Sequence, residues 1–316
     1  MARLAGRTRA ITTYFVYRAS ATLLRVMPGP ISRATARVAA LISWAIDPVR
    51  RRVVAENLRP ILGSDASERL LGQTVRRAFV EYGLYWSLAS RVRTSDTARH
   101  PDRFVLEGEE TLRKLAAEGN GVILALPHVG CWEAGAAWSS SIGYPLTTVA
   151  EVLEPPELFA WFVEMRRRVD LQVLPVGVTT ISQLLAVLSR GGVIALLSDR
   201  DVVGDGVPVT FFDQPTRIPG GPALLAIRSG APLVPCAVYS QAKGRFLLRV
   251  ADPVDTARSG HLRDDVVKVT QALAWSFEPL IKQAPAQWHV FQPMWENISV
   301  AGRATPVEQG PRIERR

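Results

Sequence analysis

The run Val122-Ile-Leu-Ala-Leu126 limits the fold more than any other segment. Five consecutive apolar residues stand between Gly121 and Pro127. A short apolar run bounded by turn residues reads as a strand buried on both faces, and such strands belong to parallel sheets covered by helices. The surrounding pattern agrees. Phe104–Glu107, Leu146–Ala150, Val173–Val176, Val193–Leu197 and Leu233–Tyr239 read as further strands. Helices fit between them at Glu109–Ala117, Pro156–Arg168, Ile181–Arg190 and Pro222–Arg228, the first stopped by Gly119-Asn120-Gly121. Phe246–Val250 reads as a returning antiparallel strand and Asp264–Glu278 as a closing helix. This alternation predicts an α/β fold with a central, mostly parallel sheet flanked by helices.

The first 95 residues read differently, as helices punctuated at Asn57-Leu58-Arg59-Pro60 and Gly63-Ser64-Asp65. They also carry the charge. The net charge is +9, and residues 1–59 hold eleven arginines against only Asp47 and Glu56. The rest of the chain balances at 27 basic and 27 acidic side chains. Two apolar runs, Ala10–Tyr17 and Val38–Ile46, lie among these arginines. Neither approaches the ~20 apolar residues that a spanning helix needs. Arg18 interrupts any secretory apolar region, and no clean cleavage site comes after it. Coinciding arginine and apolar surface predicts helices lying on an anionic membrane, with tyrosine, phenylalanine and tryptophan at the interface. The alternative is core helices with solvated arginines. No nucleic-acid module is recognisable, and the segment is too apolar for a solvated basic arm. The organisation predicted is an N-terminal helical membrane-associating segment over 1–95, an α/β core over 96–300 and a loose tail over 301–316.

Ligands of open α/β sheets sit beyond the carboxyl ends of the strands. After Val122–Leu126 comes Pro127-His128-Val129-Gly130-Cys131-Trp132-Glu133; after Val193–Leu197 comes Ser198-Asp199-Arg200-Asp201. If the two strands are close, His128 and Asp199 meet. A histidine backed by a carboxylate takes a proton from an alcohol near neutral pH. Glu133 lies five residues beyond His128, about 140° round a continuous helix, so contact would need His128 to precede the helix. Glu133 then either braces that turn or faces the site. Cys131 is a candidate nucleophile, though a buried cysteine is normally inert packing. Cys131 and Cys236 are too few for a disulfide framework, and no zinc-like spacing surrounds His128. A cytosolic setting is therefore the default. No Gly-x-Ser-x-Gly elbow and no Walker loop is present. Arg166, in Arg166-Arg167-Arg168, suits a carboxylate or phosphate; the alternative is a solvated helix end.

Leu126–Glu133 resembles the His-x-x-x-x-Asp/Glu signature of the bacterial lipid acyltransferases, which include lipid A lauroyl/myristoyl and phosphatidylinositol mannoside acyltransferases. The likeness continues in order. It takes in Asn57-Leu58, Phe79–Trp86, Arg166 with Leu174-Pro175, Ser198–Asp201 and Phe211-Phe212. Pro219–Ala223, Gly230-Ala231-Pro232 and the stretch from Gln287-Trp288 to Trp295 complete it. It spans roughly residues 10–296, and the Asp199-Arg200-Asp201 form with the arginine-rich composition is closer to the mannoside branch. That branch usually has Asp at the position of Glu133, often Asn at that of Cys131, and sometimes Glu at that of Asp199.

The resemblance implies a glycerol-3-phosphate acyltransferase-like sheet with an apolar groove for the acyl chain. It implies that His128 is the general base, that Asp199 polarises it, that Arg166 holds Asp199 and that Glu133 belongs to the catalytic set. It assigns substrate binding to Arg200, Asp201, Phe211 and Phe212. Acyl-CoA is expected as co-substrate without a cofactor or metal, and a membrane glycolipid, such as a mannoside, as acceptor. The expected location is peripheral, on the cytoplasmic face of the plasma membrane. Two other readings compete: acylation of a lipid A precursor or lysophospholipid, and a non-catalytic membrane-binding protein on the same scaffold.

Overall fold

A computed structural model describes residues 2–201 and 204–296, with the side chains of 2–10 and 13 excepted. The tail predicted over 301–316 lies outside the described residues. The core is a seven-stranded sheet. Its strands are β1 (Phe104–Glu107), β2 (Val122–Leu126), β3 (Leu146–Ala150), β4 (Gln172–Pro175), β5 (Val193–Leu197), β8 (Leu233–Ser240) and β9 (Phe246–Val250), in spatial order β1-β9-β8-β2-β5-β3-β4. β8, β2, β5, β3 and β4 are mutually parallel. β9 returns antiparallel to β8, and β1 pairs parallel to β9. The mostly parallel sheet and its returning strand match the sequence pattern.

Residue alternation divides the sheet into two apolar faces. Ile123 and Ala125 of β2 point to one face with Ile194 and Leu196 of β5, under α9 (Thr180–Leu188), α10 (Gly221–Ser229) and α11 (Leu262–Gln283). Val122, Leu124 and Leu126 point to the other, under α6 (Glu109–Ala117) and α7 (Trp132–Ser141). α8 (Pro156–Arg167) joins β3 to β4.

The N-terminal residues form α1 (Ala2–Val26), α2 (Gly29–Ile46), α3 (Pro48–Leu62), α4 (Glu68–Ala89) and the short α5 (Thr94–Arg99). α3 and α4 are built into the core rather than set apart from it. Val54, Leu58, Leu71, Val75 and Phe79 join the first face, whereas Tyr85 and Ala89 of α4 join the second. α4 presses closely on α2: a Cβ on Gly83 would stand 2.7 Å from the Ala36 carbonyl. Arg91 donates to the carbonyls of Leu24, Arg25 and Met27 and so caps the carboxyl end of α1. α1 and α2 expose Phe15, Val16, Leu23, Val26, Ile31, Val38, Ile42 and Ile46. No helix among the described residues is long and apolar enough to cross a membrane.

A hairpin of β6 (Val207–Phe211) and β7 (Gln214–Ile218) is absent from the sequence expectation. Its two-residue turn is Phe212-Asp213, both with positive φ (50° and 59°). Without Asn-Gly, and with Pro208 and Pro215 inside the strands, it lacks the usual hairpin signature. The Phe212 N–H donates to Glu278 Oε1 at 2.8 Å, which pins the turn to α11.

Candidate active site

β2 and β5 are hydrogen-bonded neighbours, with Leu126 opposite Leu197. The chain order changes direction around β2, which opens a crevice at the carboxyl ends. His128 and Asp199 meet there. His128 Nδ1 lies 2.5 Å from Asp199 Oδ1, and the His128 backbone N–H donates to Asp199 Oδ2 at 2.9 Å. The Trp288 indole N–H donates to the same Oδ2 at 2.7 Å. Asp199 has no exposed surface, whereas the His128 side chain keeps 12% of its own. Nδ1 is engaged by the carboxylate, and Nε2 makes no hydrogen bond among the described residues. Nε2 is therefore the nitrogen free to accept a proton from a bound hydroxyl.

The turn itself is clamped by the segment after α11. Gly130 N–H donates to the Gln287 carbonyl (2.9 Å), and His289 N–H donates to the His128 carbonyl (2.7 Å). Gly130 has φ 64°, and a Cβ there would meet the Val238 carbonyl oxygen at 2.0 Å, so only glycine fits. Asn57 ties the same segment to α3, donating to the Val290 and Gln292 carbonyls and accepting from Met294 N–H.

Burial tunes the charges of this pair. It lowers the His128 pKa from its ordinary value; Asp199 opposes this, and the positive charges of Arg200 and Arg166 reinforce it. For Asp199, burial is the largest influence and pushes upward. The charge and hydrogen bonds of His128, with that of Trp288, outweigh it and hold the carboxyl below its ordinary value. The dyad thus pairs a neutral-leaning imidazole with a carboxylate that stays ionised.

Beside it, under α7, lies an apolar cavity of about 840 Å³, open mouth included. Leu126, Trp132, Gly135, Leu197, Val238 and Leu248 are among its walls, and Arg166 is one of its few polar ones. The Trp132 ring meets His128 edge-to-face at 5.6 Å, so the cavity and the dyad share a wall.

Residues 4–297 match the sequence profile of the family described as bacterial lipid A biosynthesis acyltransferase. The chain belongs to that family. It is 35% identical over 286 residues to the phosphatidylinositol mannoside acyltransferase of Mycolicibacterium smegmatis (strain ATCC 700084 / mc(2)155), covering 88% of this chain and 90% of that protein. With the protein of the same description from Mycobacterium tuberculosis (strain ATCC 25618 / H37Rv) it shares 38% identity over 230 residues, 71% of each chain.

In this acyltransferase the remaining predicted residues take varied places around the dyad. Glu133 is buried in the first turn of α7, forms no ion pair or hydrogen bond with His128, and accepts from Tyr85 Oη at 3.1 Å. Burial raises its pKa against the opposing charge of Arg166. Arg166, in the last turn of α8, makes no ion pair with Asp199; its place beside Asp199 is taken by Trp288. Arg200 donates to Gln292 Oε1 (2.7 Å), while its Nε is buried without a partner among the described residues. Asp201 accepts from the N–H groups of Gly204 and Gly206 and so shapes its own loop. Phe211 and Phe212 do not line the cavity: both are buried on the opposite face, Phe211 stacking edge-on to Trp288 at 6.5 Å. Cys131 is fully buried, and burial, then Glu133, pushes its thiol well above the ordinary range, which disfavours the nucleophilic thiolate.

Two contributors are not in the sequence-derived set. Trp288 is the indole donor to Asp199; its advance signals are that a buried tryptophan needs a partner for its N–H and that it stands in the Gln287–Trp295 stretch of the family likeness, neither of which names Asp199. Glu151 is the first residue beyond β3, half-buried, with its pKa raised by burial against the charge of Arg200. Its position just past the carboxyl end of β3, matching those of His128 past β2 and Asp199 past β5, is its signal in the sequence.

Proposed function

We propose that this acyltransferase moves a fatty acyl chain from acyl-CoA to a hydroxyl of a membrane glycolipid, a mannose of phosphatidylinositol mannoside being the favoured acceptor. The observation that carries the reading is the His128–Asp199 dyad opening beside an apolar cavity. His128 Nε2 takes the proton of the acceptor hydroxyl as its oxygen attacks the thioester carbonyl. Asp199 stabilises the imidazolium. The C–S bond breaks, the proton passes to the departing thiolate, and an ester and free CoA result. Arg200, with an unpaired buried Nε, steadies the oxyanion, and no covalent enzyme intermediate forms. The acceptor assignment draws on the mannoside acyltransferases similar over most of the chain. A lipid A precursor or lysophospholipid is the competing acceptor. Transfer from radiolabelled palmitoyl-CoA to a panel of purified lipids decides among them; label on a lysophospholipid but on no mannoside overturns the assignment.

The protein works peripherally on the cytoplasmic face of the plasma membrane. The exposed apolar side chains of α1 and α2, among the N-terminal arginines, support this reading. Each arginine near an anionic surface contributes about 1 kcal/mol. Changing Arg7, Arg9, Arg18 and Arg25 together to Glu is expected to weaken sedimentation with anionic vesicles by orders of magnitude, and with neutral vesicles much less. Unchanged sedimentation with anionic vesicles would mean that these arginines do not face the bilayer.

A further inference from the structure

The apolar cavity beside His128 does not end in solid packing. Leu112 of α6, Leu124 of β2 and Trp138 and Ser139 of α7 line it, and the same four line a second, narrow recess of about 340 Å³, interstitial space and open mouth included. That recess lies between α6 and α7 and reaches Glu109, Arg113 and Tyr144. Trp138 is buried, at 7% exposure, and is the largest of the four shared side chains. Elsewhere in this cavity α7 presents Trp132, beside His128, and between the two indoles only Gly135 and Ala136. One indole therefore stands where the two spaces would otherwise run together, with Leu112 facing it from α6.

We propose that Trp138, backed by Leu112, is the wall that ends the acyl-chain site and sets the longest chain that the protein accepts. The inference rests on the reading that the cavity holds the acyl chain. An apolar void stays dry and admits an apolar guest. Each methylene accommodated there favours binding, and each that meets a close-packed wall forces a displacement. Indole and leucine form the partition, so they decide where accommodation stops.

The test uses the full chain and a competing mixture of saturated acyl-CoA donors that differ by two carbons, with product lipids resolved by mass. In Trp138→Ala the two spaces join. Donors longer than the wild-type optimum should gain in relative kcat/KM, by about fourfold per added methylene that the joined space takes. Leu112→Trp, on a half-buried position of a short surface helix, should shift the optimum the other way, and it remains informative if Trp138→Ala fails to fold. Trp138→Phe should leave the profile close to wild type. If wild type transfers acyl chains and folded Trp138→Ala and Leu112→Trp keep its profile, the wall is not Trp138, while the proposed function stands. If wild type transfers no fatty acyl group from any donor, the function reading falls and this inference with it.

Discussion

The two faces of the sheet are built from alternate residues of the same strands, yet they are finished differently. On the face of Ile123, Ile194 and Leu196, large side chains close the space: Leu184 and Leu188 of α9, Leu225 of α10, and Leu273, Phe277 and Ile281 of α11. On the face of Leu124, Leu126 and Leu197, the covering helix α7 offers Ala134, Gly135, Ala136 and Ala137 in sequence, and a cavity remains. The difference teaches that the site's space was made by the covering helix and not by the strands. The sealed face supplies packing; the open face supplies room for a chain, and His128 stands where that room reaches the carboxyl ends.

The contrast breaks most severely at Asp199, which belongs to the chemistry of the open side but touches no cavity wall. Asp199→Asn removes the charge that stabilises the imidazolium and should lower single-turnover acyl transfer by about 10²–10⁴-fold. Cys131→Ala, nearby but only packing, should keep most of the rate. A dead Cys131→Ala, or an acyl-cysteine adduct detected by mass spectrometry, would contradict this order.

A comparison of Ile194→Ala with Leu124→Ala sharpens it in stability. Ile194 is wholly enclosed on the sealed face, and its truncation should cost about 2–5 kcal/mol in denaturant unfolding. Leu124 already borders the cavity, so its truncation should fall at the low end of the same range, about 2 kcal/mol. Equal and large losses would mean that the open face is packed as tightly as the other.

The smallest effect is expected at Trp288. Trp288→Phe removes one donor to a buried carboxylate, a loss of about 1–3 kcal/mol. The neutral imidazole is the active base, and burial holds the His128 pKa below its ordinary 6.5. Wild-type kcat/KM should therefore persist as pH falls past that value and decline only at the lowered pKa. Without the indole bond the carboxylate becomes more basic, favours the imidazolium, and moves the acid limb of the pH–rate profile to higher pH. A limb that does not move would show that the bond holds Asp199 in place without tuning it.

Much of this was legible in the chain. The five-residue run at 122–126 and the strands around it announced the sheet, because side chains buried on both faces leave no polar alternation to misread. The meeting of His128 with Asp199 needed only that β2 and β5 be neighbours. Partners far along the chain were less legible. Glu133 reaches Tyr85, 48 residues earlier, and Asp199 reaches Trp288, 89 residues later. Such pairs depend on how α4 and the final segment pack, which local periodicity does not encode. The β6–β7 hairpin was missed because Phe212 takes a left-handed conformation that tertiary contacts stabilise, not its own propensity. The cavity was foreseen only through resemblance, since an absence of side chains has no pattern of its own beyond the alanines and glycine of α7.

The central claim is that His128 Nε2 is the base for acyl transfer at the open face. The direct measurement is single-turnover transfer from radiolabelled palmitoyl-CoA by His128→Ala beside wild type, with thermal unfolding recorded on both. The account predicts a rate lower by about 10²–10⁴-fold with an unchanged unfolding transition. A folded His128→Ala protein that keeps more than a few per cent of the wild-type rate would contradict it.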